Sequence, residues 1–103
     1  MTRLTIRRGG TKRVRATFFA DRSAGLGRDL AGLTLMVIDQ SPNIVPPALA
    51  ILSPATGGQI EVLWTDEQTA PLAPGAGKVW LTLGFENDSG EREVLPTLTF
   101  DVE

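Results

Sequence analysis

The stretch at residues 77–85, Gly-Lys-Val-Trp-Leu-Thr-Leu-Gly-Phe, decides how this chain is read. Val79, Leu81, Leu83 and Phe85 alternate with Lys78, Trp80, Thr82 and Gly84, the period-two pattern of a strand that buries one face. Turn-forming residues bound it on both sides, Ala-Pro-Gly-Ala-Gly at 73–77 and Asn-Asp-Ser-Gly at 87–90. It reads as the central strand of an all-β domain.

Six more strands are expected around it. After the 87–90 turn, residues 91–103 place Val94, Leu98, Phe100 and Val102 on one face, with Leu95 as an apolar exception on the other. Pro96 marks an edge or a bulge there. Upstream, residues 59–65 turn Ile60, Val62 and Trp64 inward, and 66–74 loop or make one helical turn. Residues 48–52 form a short edge strand after a segment in which Pro42, Pro46 and Pro47 forbid a central one. Residues 33–39 carry an unbroken apolar run, Leu35-Met36-Val37-Ile38, which needs cover on both faces or a partner on one. Residues 2–7 turn Leu4 and Ile6 inward, and 12–20 do the same with Val14, Ala16 and Phe18. Phe19 falls on the opposite face, which points to a register shift. Seven short strands with turns every 8–12 residues predict one immunoglobulin-like antiparallel β-sandwich over residues 1–103.

The totals exclude several function classes. The chain has neither Cys nor His, so disulfide and thiolate-metal frameworks are out and the commonest general base is missing. Ser41, Ser53 and Ser89 sit in turns, while Asp66, Glu67 and Asp88 sit in polar loops without the desolvated pairing that acid–base chemistry needs. The Gly-rich pieces at 57–58 and 73–77 lack the strand–helix context and Lys of a phosphate loop. No enzyme, cofactor, metal or small-molecule substrate is expected. Nor does the start, Met-Thr-Arg-Leu-Thr-Ile-Arg-Arg, carry a signal-peptide core, and no run is long enough to span a membrane.

Charge is segregated along the chain. Residues 1–28 hold eight cations and one anion (net +7), whereas residues 29–103 hold two cations and eleven anions (net −9). Arg3, Arg7, Arg8, Lys12, Arg13 and Arg15 form a candidate cationic surface for phosphates or an acidic partner, with Arg3, Arg7, Arg13 and Arg15 as its contact residues, or a solvated face that guards an edge. No aromatic residues interleave with them, which argues against direct nucleic-acid binding. If the first, second and fifth strands share one sheet, the molecule has a positive back and a negative front suited to contact with copies of itself. Trp80 is the second candidate, since its parity places it outside the core. Met36 or Ile38, together with Leu95, would join it in an outer apolar patch. The alternative is that residues 44–52 fold back and cover Trp80.

Several turn motifs, in order, resemble one family. Leu4-Thr5-Ile6-Arg7-Arg8-Gly9-Gly10-Thr11 is similar to the "I-x-R-G-D-T" start of small immunoglobulin-like proteins of tailed bacteriophages, including the N-terminal domains of baseplate upper proteins. Asp29-Leu30-Ala31-Gly32-Leu33-Thr34 resembles their "D-L-T-G-A-T" lead-in to the third strand. Thr69-Ala70-Pro71-Leu72-Ala73-Pro74-Gly75 resembles their "T-x-x-L-x-x-G" turn, and Asp88-Ser89-Gly90 with Val94-Leu95-Pro96 their closing hairpin. The resemblance implies a structural virion protein of the tail, baseplate or neck, made in the host cytoplasm and working by protein–protein assembly. With no fibre or receptor-binding region following, a free-standing virion component is expected. A capsid decoration protein and a carbohydrate-binding module that uses Trp80 are the alternatives.

Overall fold

The computed structural model describes residues 4–103; Arg3 therefore lies outside the described residues. In chain order the strands are β1 (Leu4–Ile6), β2 (Lys12–Thr17), β3 (Phe19–Asp21), β4 (Leu26–Gly27), β5 (Thr34–Gln40), β6 (Ala48–Ile51), β7 (Gln59–Trp64), β8 (Gly75–Glu86), β9 (Arg92–Val94) and β10 (Leu98–Val102). One helical turn, α1 (Asp66–Thr69), precedes β8. The protein is all-β, with ten strands in three sheets among the described residues rather than the expected seven.

Each expected strand segment is occupied, and the surplus comes from splitting. The second expected strand breaks at Phe18, where the apolar parity fails, into β2 and β3. The polar connection beyond it supplies β4, which closes a small hairpin with β3. The last expected strand breaks at residues 95–97 around Pro96, which has no N–H to give a ladder.

β8 is the centre, as its alternation predicts. It pairs with β5 along one edge and with β9 and β10 in succession along the other. β1 adds to the far side of β10 in parallel, so the large sheet runs β1-β10-β8-β5. β1 therefore does not share a sheet with β2, against the expected grouping. The second sheet runs β2-β7-β6. Val79, Leu81, Leu83 and Phe85 of β8 are all buried against Ile60, Val62 and Trp64 of β7 and Phe100 of β10. Two edge-to-face aromatic pairs hold the sheets together: Trp64 on Phe100 at 5.3 Å and Phe18 on Phe85 at 5.4 Å between centroids.

The turn motifs have plain structural causes. Asp29 Oδ1 accepts from Ala31 N at 2.9 Å, Gly32 takes φ +77°, and Leu30 between them is buried in the core. Thr65 and Gln68 form a reciprocal capping box on α1, and the buried Thr69 hydroxyl donates to Gly10 O at 2.8 Å, tying α1 to the β1–β2 turn. Leu72 then enters the core before β8 begins. Among the described residues, no helix is long and apolar enough to cross a membrane.

Candidate functional site

The outer face of the large sheet carries the most exposed apolar side chain of its strands. Val94 is 61% exposed and stands opposite Gly84. Leu95 next to it is 9% exposed and packs in the core, with its N–H donating to Leu83 O at 2.9 Å. The expected assignment of these two residues is therefore reversed, and Leu95 is no part of an outer patch. The break at 95–97 resets the alternation, so parity counted back from Phe100 fails beyond Pro96.

Met36 also stands opposite Gly84, from the β5 side, on that same outer face. Ile38 lies over the glycine: a Cβ built there would come within 2.8 Å of Ile38 Cδ1 and of Glu93 O. Met36, Ile38 and Val94 thus gather around a backbone floor that only glycine provides. Trp80 sits on this face four residues earlier along β8, about 13 Å away at strand rise. It is half-buried rather than fully exposed. Between Trp80 and the Ile38 group runs a polar bar, in which the Thr82 and Thr97 hydroxyls bond at 2.7 Å and Asp39 stands opposite Thr82. The face is two apolar groups divided by hydroxyls, not one continuous patch.

The segment expected as an alternative cover for Trp80 goes elsewhere. Ser41 is buried and stitched to the Trp80 backbone, its N–H donating to Trp80 O at 2.9 Å and its Oγ accepting from Trp80 N at 3.2 Å. Val45 O then accepts the Trp64 indole N–H at 3.1 Å, and residues 48–51 pair with β7. Residues 44–51 therefore cross to the second sheet and leave the outer face of the first. A bulge at Ile38–Asp39 turns Gln40 inward, where its Nε2 donates to Ile44 O and its buried Oε1 has no protein partner among the described residues.

The basic residues do not gather. Arg7 follows β1 on the large sheet, whereas Arg13 and Arg15 project from β2 on the small one. Arg13 and Arg15 both reach Glu61, at 2.9 and 3.0 Å, so an acid sits in the middle of the expected positive face. Two acids of the large sheet are paired as well. Arg28 makes a fork of hydrogen bonds to Glu93 at 2.6 and 2.8 Å, and Arg92 reaches Glu86 at 2.7 Å. The Arg28 hydrogen bonds hold the Glu93 carboxyl below the usual glutamate range. Asp101 Oδ1 accepts from Gly77 N at 2.8 Å across a β8 irregularity. Sign segregation along the chain is therefore only partly offset in space, by Glu61 against Arg13 and Arg15 and by Arg28 against Glu93.

No family model and no curated protein matches this sequence.

Two further apolar features escaped the sequence reading. On the β3–β4 hairpin Phe19 and Leu26 are exposed, and the Arg22 guanidinium stacks over the Phe19 ring at 5.1 Å. Asp21 fixes this turn by accepting from the Ser23 hydroxyl and from the Ser23 and Ala24 N–H groups; the Ser23 hydroxyl does most to lower its pKa. The misplaced parity of Phe19 was the available signal. The other feature is a groove between the sheets, walled in part by Ala16, Phe18 and Leu98.

Proposed function

We propose that the chain is an immunoglobulin-like β-sandwich serving as a non-enzymatic structural component of a tailed-phage particle. It assembles on other virion proteins, or on copies of itself, through the outer face of the large sheet. Exposure of Val94 beside Met36 and Ile38, with Trp80 about 13 Å away on the same face, is the observation that carries the assembly reading. A solvent-facing Val set among Met36 and Ile38 and bounded by the Arg92–Glu86 pair is an apolar spot with a charged rim, the anatomy of an interface centre, and Trp is among the residue types enriched at hot spots. The pairing order supports the finer fold: second, fifth and fourth main strands in one sheet, third, sixth and seventh in the other, with the first moved beside the last. The particle setting rests on the ordered turn motifs at residues 4–11, 29–34, 69–75 and 88–96.

The test is incorporation. Val94→Asp and Trp80→Ala leave an exposed and a half-buried site without disturbing the inner face, so both variants are expected to keep wild-type circular dichroism. Purified particles carrying either variant should lack this subunit by mass spectrometry, because truncating a hot spot costs at least about 2 kcal/mol of binding. Normal occupancy of both variants in particles would overturn the assignment of this face.

A further inference from the structure

On the side bounded by β2 and the β9–β10 junction, a groove of about 170 Å³ opens between the two sheets. Ala16, Phe18, Ile60, Leu95 and Leu98 are among its walls, and its surface is almost wholly carbon. The inner faces show the same asymmetry. Ile60, Val62 and Trp64 of β7 are at most 3% exposed, while Val14, Ala16 and Phe18 next to them are only half-buried. Both banks are strand edges. Among the described residues, β2 pairs only with β7, and β1 covers β10 only from Phe100 to Val102. Among the described residues, an apolar interior is thus left open beside an unpaired ladder.

The edge is also charged. Lys12, Arg13 and Arg15 lie along β2, and the one Glu61 carboxylate that Arg13 and Arg15 share cannot neutralise both. Arg13 and Arg15 point away from the core, so a strand added beside β2 sets its own outward residues directly against them. A second copy's β2 brings cations to that position, which is unfavourable; Asp or Glu is favourable.

We propose that the β2 edge and its groove accept an extended strand from an acidic partner protein, alternating apolar residues that fill the groove with carboxylates that face Arg13 and Arg15. This is strand addition, with main-chain bonds supplying affinity and the groove supplying selectivity. It uses a surface separate from the Trp80–Val94 face and stands or falls independently of it.

The experiment uses the full chain and a labelled peptide of alternating Val and Glu, about eight residues long to span β2 at strand rise. A Val–Lys peptide of equal length is the control. Fluorescence anisotropy should show binding of the Val–Glu peptide alone. Amide shifts should map to residues 13–17 and 95–98 and spare Trp80. The double variant Arg13→Glu/Arg15→Glu should weaken binding about tenfold or more, because it places like charges across the new pair. Ala16→Phe, which fills the groove, should abolish binding; the charge variant carries the test alone if Ala16→Phe melts early. No binding at millimolar peptide, equal binding of both peptides, or shifts centred on Trp80 would each overturn the proposal. So would self-association of the chain that Ala16→Phe blocks, or peptide binding that appears only after removal of residues 1–3, since the groove would then belong to a second copy or to the chain's own start.

Discussion

Trp64 and Trp80 have opposite parity on strands consecutive along the chain, and the molecule uses them oppositely. Trp64 is 2% exposed, edge-on to Phe100, with its indole N–H satisfied by Val45 O. Trp64→Ala should cost roughly 3–5 kcal/mol in denaturant melts, whereas Trp80→Ala should cost clearly less. Equal losses would mean that Trp80 packs as a core residue. Glu93 gives a pH test. Its folded pKa is lowered by Arg28, so the stabilisation it contributes is present above the ordinary glutamate value and fades as pH falls through the lowered one. Glu93→Gln should therefore be less stable than wild type at neutral pH and converge with it in acid. Melts that stay apart by the same margin at about pH 2, below the range of an ordinary glutamate, would exclude the Arg28 pair as the cause. Since both side chains are partly exposed, the gap at neutral pH should be small, within about 1 kcal/mol.

At the scale of elements, periodicity was the legible part. β7 and β8 were readable because Ile60, Val62 and Trp64, and then Val79 through Phe85, alternate without interruption. Legibility ended where the backbone departs from a plain ladder. Pro96 separates β9 from β10, and parity does not carry across the gap, so Val94 and Leu95 exchange roles. A bulge at Ile38–Asp39 likewise turns Gln40 inward, which the apolar run at 35–38 does not announce. Partner choice was not legible either. Whether β1 joins β2 or β10 depends on the path taken at Gly9–Gly10, and residues 2–7 alternate identically in both cases. Gly84 tests the β8–β9 contact. Gly84→Ala puts a methyl against the Glu93 carbonyl, a backbone atom that cannot rotate away, and against Ile38. Faster amide exchange in β9, with a loss of about 1–3 kcal/mol, is the expected outcome. An unchanged exchange pattern would show that β9 shifts freely.

Over the whole molecule, charge segregated by sequence is re-paired in part by topology: Arg28 with Glu93, Arg13 and Arg15 with the one Glu61. Association of copies driven by opposite faces would weaken as salt shortens the Debye length from about 10 Å toward 3 Å. Association through the Trp80–Val94 face should instead persist at high salt, and sedimentation across that range distinguishes the two. The candidate site was legible only in part: the face of Trp80 follows from parity, the unbroken run at 35–38 offered Met36 or Ile38 where both lie on that face, and the exposure of Val94 depends on a break that the sequence marks only with Pro96. The parallel union of β1 with β10 also has a mechanical meaning. Leu4 lies opposite Phe100 and Ile6 opposite Val102, so tension that draws the start of β1 one way and the end of β10 the other slides the strands lengthwise. Their hydrogen bonds then carry the load together and fail together, instead of parting one at a time as an unzipped antiparallel pair does. A pull along the chain thus meets a shear lock where β1 and β10 touch.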